Sequence, residues 1–493
     1  MLVCLARDSF VRSFGDVGYI TNQLTRQDRV YDVNGRVFLE RLGRRPKTVE
    51  AVVGELAGVY PFAGPEELER DFVEFAGGLE REGYVVSGRT EREVAAKMPA
   101  FSYAIADGKT RPRTEYDLQH PARSTADFFQ SLFRKRPQIF SFQIELTSRC
   151  NERCRHCYLP GPRPLHDLET PLVMDVLDQL AEMGTLGLTL SGGECLLHRD
   201  FIPILRHARE RDFSISVLSN VTLLTDELLE ALRDANLNLL QVSVYSMDPS
   251  EHDWVTQLPG SHARTIQAIE RLIAADVPVQ ISCPTMKKTY KSYPRVLEWA
   301  YEHRIKGYTD FIMMARTDHS TDNLDNRLSF EETEALLKGI LDVDVEYKAL
   351  LESAEDFTVD EDLASQPVCG AGTDSMCMAA NGDFYPCSGF QGYPLGNAYH
   401  QTVRDVWENS EAIQRLRAIR WSEFQQCLTC EAKPFCAMCM VRNFNETGDI
   451  FSVSRHFCDV AFLNKRLAEE YRLRHRSQCP VIEIGRASCR ERV

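Results

Sequence analysis

Three cysteines lie close together in the segment LTSRCNERCRHCYLP, residues 146–160. They are Cys150, Cys154 and Cys157, in the spacing C-x3-C-x2-C. Thiolates at such spacings bind zinc or iron–sulfur clusters. A closed zinc site has four ligands, whereas a four-iron cluster held by three cysteines keeps one iron open to another ligand. The segment therefore predicts a metal centre and requires a fold that gathers three thiols in a single loop.

The chain has 493 residues and 16 cysteines, and its apolar start, MLVCLA, ends at Arg7. That stretch is too short for the core of a signal peptide, and no run approaches the ~18 apolar residues of a membrane-spanning helix. We therefore expect a cytoplasmic protein with no membrane partner, whose reduced thiols bind metal rather than form disulfides. The formal net charge of -15 disfavours nucleic acid as a partner, because phosphate affinity comes from Lys and Arg.

From residue 140 onward, strand and helix patterns alternate along the chain. The strand-like segments are FSFQIELT, LGLTLSGGE, FSISVLSN, LNLLQVSVYS, VPVQISCPT and YTDFIMMAR, with amphipathic segments such as TPLVMDVLDQLAEMG between them. Six such units in series predict a parallel sheet that curls into a partial (β/α)6 barrel of the TIM type. The chain is thus of the α/β class, with its chemistry at the carboxyl ends of the strands.

The N-terminal segment has a different order of elements, which predicts a winged-helix-like domain. Three short strands come first, with a turn at Asn34-Gly35, followed by three helices and a return strand. Thr48 is the expected N-cap of the second helix, and Pro65 and Gly83 bound the third. The predicted divisions of the chain are 1–88 for this domain, 89–138 for a linker, 139–345 for the barrel, 346–483 for a cysteine-rich domain and 484–493 for a terminal segment.

A second motif, Gly192-Gly193-Glu194, follows the second predicted barrel strand. Two glycines let the backbone approach a ligand closely, and a carboxylate can hold an ammonium group. Together with the three-cysteine loop, this motif resembles the radical S-adenosylmethionine (SAM) enzymes over residues 140–316. The resemblance implies that SAM chelates the open iron of a [4Fe-4S] cluster and is cleaved to a 5′-deoxyadenosyl radical, which abstracts hydrogen from carbon. A zinc loop is the alternative.

The same resemblance implies contacts to SAM from residues at the ends of several strands. Tyr158 would flank the adenine, Ser219 and Asn220 would contact the ribose, and Ser243 is a further candidate. Cys195 departs from the family pattern, because proline is usual after the glutamate. No residue is assigned as the catalytic acid or base.

Eight more cysteines lie in the C-terminal segments CGAGTDSMCMAANGDFYPC, CLTCEAKPFCAMC and HFCDV. This pattern resembles the SPASM domain of peptide-modifying radical SAM enzymes. The resemblance implies two auxiliary [4Fe-4S] clusters, one held by Cys369, Cys377, Cys387 and Cys439 and the other by Cys427, Cys430, Cys436 and Cys458. Fully ligated clusters would relay electrons. Without Cys377 as a ligand, the first would keep an open iron for a substrate thiolate. Two zinc knuckles are the alternative.

The N-terminal domain contains the segments FGDVGYI, GRVFLERL and DFVEFAGGLEREGYV. With these segments it resembles the PqqD-like recognition element of peptide-maturing enzymes. Its third helix, in residues 64–83, carries seven acidic and two basic residues, so it would be repelled by DNA. The resemblance implies that a leader peptide adds as a strand beside the sheet and packs against the third helix.

These observations predict a radical SAM oxidoreductase that modifies a ribosomally synthesised precursor peptide by forming a thioether or C–C cross-link. An external electron donor such as flavodoxin or ferredoxin would supply electrons. A peptide epimerase that uses Cys195 or Cys283 as a hydrogen donor is one alternative, and a sulfatase-type protein maturase is another. The least favoured is a non-catalytic iron–sulfur regulator. The final residues, 484–493, resemble translated sequencing-adapter read-through and are left out of the fold.

Overall fold

The computed structural model describes residues 1–98, 125–161, 164–341, 343–353 and 363–476. The centre of the predicted linker, the thiols of Cys479 and Cys489, and the terminal segment 484–493 lie outside these residues. The side chains of all eleven predicted cluster ligands lie within them.

The N-terminal part contains two small sheets and three main helices. Its elements are β1 (Leu2–Leu5), β2 (Ser9–Phe14), β3 (Val17–Asn22), β4 (Gln27–Tyr31), α1 (Val33–Leu39), β5 (Lys47–Thr48), α2 (Val49–Ala57), α3 (Pro65–Arg81), β6 (Val85–Gly88) and α4 (Glu91–Ala96). One antiparallel sheet has the order β2-β3-β4, and the other has the order β5-β1-β6. The apolar faces of α2 and α3 pack over one core that includes Val52, Phe72 and Leu79.

The predicted strands and helices of this part are confirmed, with two differences. Thr48 caps α2 by accepting from the amide of Ala51 at 3.1 Å, as expected. Asn34-Gly35 is not a turn but lies in the first helical turn of α1, because the Asp32 carboxylate accepts hydrogen bonds from both amides. The sequence reasoning also missed β1, whose apolar residues pair with the return strand β6.

Helix α5 (Thr125–Lys135) joins the N-terminal part to the barrel. Its Phe129 and Phe133 stack with each other and meet Phe14 of β2 edge-on, with ring centroids 5.2–5.5 Å apart. Phe140, at the entrance to the barrel, also lies against both rings of α5. Buried aromatic area of this kind fixes the two parts against each other.

The barrel alternates strands and helices as predicted. Its elements are β7 (Ser141–Glu145), α6 (Thr170–Glu182), β8 (Gly187–Ser191), α7 (Phe201–Glu210), β9 (Ser214–Ser219), α8 (Asp226–Asp234), β10 (Leu239–Ser243), α9 (Pro249–Thr256), α10 (Ser261–Ala274), β11 (Val279–Ser282), α11 (Tyr293–Glu302) and β12 (Lys306–Tyr308). The six strands are parallel in the order β7-β8-β9-β10-β11-β12. This confirms the partial barrel.

The two faces of the barrel strands differ in chemistry. Along β7, the buried Phe142 and Ile144 belong to the main core, while Gln143 points to the other face and donates to Ser191 of β8 at 2.7 Å. The prediction of the last strand, YTDFIMMAR in residues 308–316, was wrong in position, because β12 precedes this segment and shares only Tyr308 with it. In the segment after β12, Arg316 donates to the carbonyl oxygens of Cys157 and Leu159.

The C-terminal part has short elements and one long helix. They are α12 (Phe330–Ile340), α13 (Val345–Ser353), β13 (Ser375–Met378), β14 (Asp383–Tyr385), β15 (Gly396–Asn397), α14 (Val403–Asn409), α15 (Glu411–Ala418), α16 (Gln425–Leu428), α17 (Met440–Thr447) and α18 (Arg455–Arg476). Strand β13 pairs in parallel with β7, so the barrel sheet continues into this part as a nine-stranded sheet. The sequence analysis did not predict this continuation.

Among the residues that the structure describes, no helix combines the length and the apolar character that crossing a bilayer requires.

Candidate active site

The three-cysteine loop follows β7 and is fixed to its surroundings by backbone hydrogen bonds. The amide of Arg155 donates to the carbonyl oxygen of Val255 at 3.0 Å, which attaches the loop to α9. Within the loop, the amide of Cys157 donates to the carbonyl of Cys154 at 3.0 Å. The protein itself therefore sets the course of the backbone between the predicted ligands.

The thiols of this loop lie near one another in surroundings that disfavour thiolate charge. Burial is the main cause that raises the pKa of Cys150 to about 12, and it raises the pKa of Cys154 well above its ordinary value. Charge on Cys157 adds to both pKa shifts, so all three thiols interact. Across the described ranges, no three or more His, Cys, Asp or Glu side chains are placed to hold a metal ion. A positively charged cluster core would offset the repulsion among three thiolates, because metal-bound thiols lose their protons. A donor set of three sulfur atoms suits such a core in its chemistry.

The glycines of the second motif are needed for contact between two loops. A Cβ on Gly192 would lie 2.5 Å from the carbonyl oxygen of Thr147, and one on Gly193 would overlap that of Arg149. Gly192 also has a φ of +151°, a backbone angle that residues with a side chain rarely adopt. The amide of Gly193 donates to Thr147 at 2.7 Å. The motif thus fastens the loop after β8 to the cysteine loop, and its predicted contact with SAM stays a prediction.

Glu194 is buried and its carboxylate already has partners in the chain. One oxygen accepts from the Ser219 hydroxyl at 2.7 Å and from the Leu196 amide at 3.0 Å, and the other accepts from the Asn220 amide at 2.7 Å. Burial raises the pKa of Glu194, and these hydrogen bonds oppose that shift. In this structure the carboxylate joins the ends of β8 and β9. The expected ammonium contact stays a prediction.

Ser219 and Asn220 lie beside the cysteine loop, as the sequence predicted for a site shared by the strand ends. The side-chain amide of Asn220 donates to Asn151 at 3.0 Å, and Asn151 donates to Thr222 at 2.7 Å. Sequence reasoning missed Asn151, whose only signal is its place directly after Cys150. It links the predicted ribose-binding pair to the predicted cluster ligands.

Tyr158 points toward a buried carboxylate that the sequence analysis did not single out. Its hydroxyl donates to Glu145 at 3.4 Å, and the same carboxylate accepts from Gln391 of the C-terminal part at 3.0 Å. A glutamate at the end of a buried strand is unusual enough to have been a signal in the segment FSFQIELT. Glu145 thus connects the cysteine loop with the cysteine-rich part.

Ser243 lies at the end of β10, near Tyr245, rather than against the Gly-Gly-Glu motif. The Tyr245 hydroxyl lies 2.9 Å from a ring nitrogen of His156 and 3.6 Å from the sulfur of Cys154. Burial is the main cause that lowers the pKa of His156 to about 4, so this imidazole is neutral near pH 7. Tyr245 and His156 are two further residues next to the predicted cluster that the sequence analysis missed.

The C-terminal cysteines fall into two groups by their electrostatic interactions. Cys427, Cys430, Cys436 and Cys458 influence one another, in the grouping that the sequence predicted. Cys369, Cys387 and Cys439 form the other group.

Cys377 stands apart from both groups. It is 1% exposed, lies in β13 opposite Gln143, and interacts with Glu145 and Cys387. Its thiol interacts electrostatically with Cys387 of the Cys369 group and with Tyr158. Its role as a ligand stays a prediction.

Cys195 and Cys283 are fully buried in the main core of the barrel. Their thiols donate to backbone carbonyls, at 3.3 Å for Cys195 to Leu218 and 3.7 Å for Cys283 to Tyr245. Such thiols are packing residues, and neither faces open space as a hydrogen donor to a peptide would.

Comparison with known proteins agrees with this geometry. The family model described as the radical SAM superfamily matches residues 144–300, and the SPASM model, described as an iron-sulfur cluster-binding domain, matches residues 369–431. The chain therefore contains a radical SAM domain and a SPASM domain. It uses SAM with a [4Fe-4S] cluster and carries auxiliary iron–sulfur clusters. The matches contain the three-cysteine loop, Gly192 to Glu194 and the C-terminal cysteines up to Cys430.

Three individual proteins show how this radical SAM/SPASM enzyme compares over longer stretches. The AdoMet-dependent heme synthase of Methanosarcina barkeri is 29% identical over 328 residues, which is 62% of this chain and 92% of the relative. The PqqA peptide cyclase of Xanthomonas oryzae is 26% identical, over 58% of this chain and 78% of the relative. The crystal structure of Streptococcus suis SuiB bound to precursor peptide SuiA aligns with a TM-score of 0.60 at 16% identity, over 91% of this chain and 97% of SuiB.

Proposed function

We propose that this enzyme modifies a ribosomally synthesised precursor peptide by closing an intramolecular thioether or C–C cross-link. The observation that carries the proposal is the N-terminal part and its attachment to the barrel through α5. The likeness in fold to SuiB extends over 91% of the chain, whereas the match to the heme synthase extends over 62%. SuiB has been solved with its precursor peptide, and this supports a peptide substrate here.

The N-terminal part is the proposed site for the leader of that peptide. β4 is the last strand in the order β2-β3-β4, and its Tyr31 ring meets Phe75 of α3 at 5.1 Å. Arg29 of β4 pairs with Glu82 just after α3, at 3.1 Å. A peptide that adds beside β4 would have α3 as its second wall, which is the strand-addition mode of recognition. The PqqD-like assignment rests on this arrangement.

In the barrel, the chain's own residues would hold and orient the cofactor. Cys150, Cys154 and Cys157 would bind the cluster, which with SAM supplies a 5′-deoxyadenosyl radical for hydrogen abstraction. Glu194 keeps Ser219 and the Asn220 amide in place for the ribose. Tyr158, held by Glu145, would close the adenine side of the site.

The C-terminal cysteines would serve the oxidative half of a cross-link. Closing such a bond removes two hydrogen atoms from the peptide, so an electron must leave the substrate. The group around Cys430 has four thiols and therefore no open ligand position, which suits electron transfer. The group around Cys369 depends on Cys377, and without that ligand it would offer a place for a substrate thiolate. A flavodoxin or ferredoxin is the proposed external donor.

The rival functions are weaker on specific grounds. Epimerisation needs an accessible hydrogen donor, and Cys195 and Cys283 are buried. A sulfatase-type maturase has no need for a leader-binding domain. The enzymatic domains exclude a non-catalytic regulator. Heme synthesis is the second candidate, since the heme synthase of M. barkeri is 29% identical.

The test is co-expression of the full chain with candidate short peptides encoded near its gene, followed by mass spectrometry. We expect the peptide to lose two hydrogen atoms, and to stay unmodified with a Cys150→Ala/Cys154→Ala/Cys157→Ala variant. A peptide whose mass is unchanged in ordinary water, but which gains deuterium when the reaction runs in heavy water, would point to an epimerase. Conversion of an added heme precursor, with no change in the peptide, would point to heme synthesis.

A further inference from the structure

A cavity of about 240 Å³ lies where three segments meet, away from the barrel mouth. Its walls come from the end of α5, from Pro137 before β7, and from the C-terminal part around Pro367, two residues before Cys369. Three arginines line it, namely Arg134, Arg417 and Arg420, and no Asp or Glu does. The cavity is thus cationic in a chain whose net charge is -15.

The guanidinium of Arg417 is held in place by the fold. Its Nε donates to the carbonyl oxygen of Gly372 at 2.6 Å, and its Cζ lies 4.3 Å from the ring centre of Trp407. One terminal nitrogen, Nη2, is buried and has no hydrogen-bond partner. A fixed guanidinium with an unused donor is preorganised for an incoming acceptor.

The other two arginines approach the same space from different sides. Arg134 of α5 donates to Gln366 at 3.1 Å, and its Nε is buried without a partner. Arg420 donates to the carbonyl oxygens of Ile419, at 3.0 Å, and of Arg417. Within the described part of the chain, none of the three arginines forms an ion pair with a carboxylate.

Among the three guanidinium groups, that of Arg417 has lost hydration through burial. Burial lowers the pKa of Arg417 to about 10, yet the group is still charged near pH 7. Buried charge without a counter-charge is unfavourable, and a bound anion would remove that cost. The negative net charge would repel anions at long range, so binding must come from these local donors.

We propose that this cavity binds a phosphoryl-type oxyanion, either free phosphate or a phosphate monoester. A tetrahedral dianion can accept from several planar guanidinium forks at once, whereas a carboxylate has only two oxygens to share. All three positive side chains are arginine rather than lysine, as planar recognition of phosphate favours. The bound anion would tie α5, and through it the N-terminal part, to the region beside Cys369.

The test is isothermal titration of the full-length, cluster-loaded protein under anaerobic conditions. The probes are inorganic phosphate, glycerol phosphate and acetate, each at an ionic strength held constant with chloride. We expect saturable binding of phosphate or its ester, weakened about tenfold or more by Arg417→Gln and by Arg134→Gln. Tighter binding of free phosphate or of the ester identifies which of the two the cavity accepts.

Arg415→Gln is the matched control, because Arg415 lies on the same helix as Arg417 but points to solvent and pairs with Glu411. We expect its phosphate affinity to stay within about twofold of the unmodified protein. Iron content and circular dichroism of each variant separate lost binding from lost folding. If Arg417→Gln fails to fold, Arg134→Gln carries the test. The proposal is overturned if no anion saturates the site, if acetate binds as tightly as phosphate, or if the control loses as much affinity.

Discussion

The two metal-binding regions of this enzyme are held together in different ways. The three-cysteine loop is tied to distant segments, as in the bonds from Gly193 to Thr147 and from Arg155 to Val255. Around the group of Cys427, Cys430, Cys436 and Cys458, the backbone hydrogen bonds close local turns. Examples are those from Cys427 to Phe424 and from Cys436 to Lys433. We therefore expect the protein to shape the first region before metal binds, and the second region to depend on metal for its order.

The largest expected effect comes from removing the metal. Structural metal sites contribute about 10 kcal/mol or more to the folding of small metal domains. In anaerobic, iron-free protein we expect fast amide hydrogen exchange over residues 427–458 and slow exchange in β7 to β10. Comparison with the reconstituted protein is the control. Equal protection of both regions without iron would contradict the difference in their construction.

The next effect comes from breaking the contact between the loops. Gly193→Ala places a Cβ against the backbone of Arg149, which cannot move aside as a side chain would. We expect 5′-deoxyadenosine formation to fall by about a hundredfold, since small displacements at a reacting centre have costs of that size.

The matched control for that substitution is Gly339→Ala in α12. A Cβ there meets nothing within 4 Å, and alanine is the better helix former by up to about 1 kcal/mol. We expect full activity and a slightly higher melting temperature. Activity retained by Gly193→Ala would show that the two loops need not touch.

A smaller effect concerns pH and the helix that fixes the cysteine loop. His252 of α9 is buried and accepts from the Tyr245 amide at 3.3 Å, and burial is the main cause that lowers its pKa from 6.5 to about 4. The unfolded chain therefore takes up this proton first as the pH falls. His252 should therefore stabilise the folded protein fully above pH 6.5. This contribution to the free energy of unfolding, up to about 3 kcal/mol, should be lost between pH 6.5 and pH 4.

Denaturant unfolding at several pH values measures this slope. His252→Asn keeps an acceptor near the amide but cannot gain a proton, so its unfolding free energy should lose most of that pH dependence. A variant with the same slope as the unmodified protein would assign the titration to another group.

The smallest effect concerns the buried thiols. Cys195→Ala and Cys283→Ala should each lower the free energy of unfolding by on the order of 1 kcal/mol, because each leaves a small cavity in the barrel core. The yield of cross-linked peptide should not change. Loss of product with a variant that still folds would indicate that its thiol takes part in the reaction as a hydrogen donor, and would favour the epimerase.

The sequence predicted the parts of the molecule whose signal is local. Strand and helix periodicity indicated the barrel, Thr48 and Pro65 marked helix starts, and cysteine spacing indicated the metal centres. Contacts between distant segments were not predictable from it. The carboxylate of Glu145 meets Gln391 only because β13 extends the barrel sheet beside β7.

The Gly-Gly-Glu motif shows the same limit inside the site. Its composition indicated a place where a ligand approaches the backbone. In the structure, its glycines allow close contact with the backbone of Thr147 and Arg149. The prediction of a turn at Asn34-Gly35 was wrong because the Asp32 carboxylate caps a helix there by accepting from both amides. In both cases, a neighbour in space decided the role of a residue.

The central claim is that the three-cysteine loop supports SAM cleavage. The most direct measurement is 5′-deoxyadenosine formation by the anaerobically reconstituted protein, without residues 484–493, in the presence of SAM and a reductant. We predict product with the unmodified loop and none with the Cys150→Ala/Cys154→Ala/Cys157→Ala variant. No product from protein that carries its full iron and sulfide, or equal product from both proteins, would contradict the account.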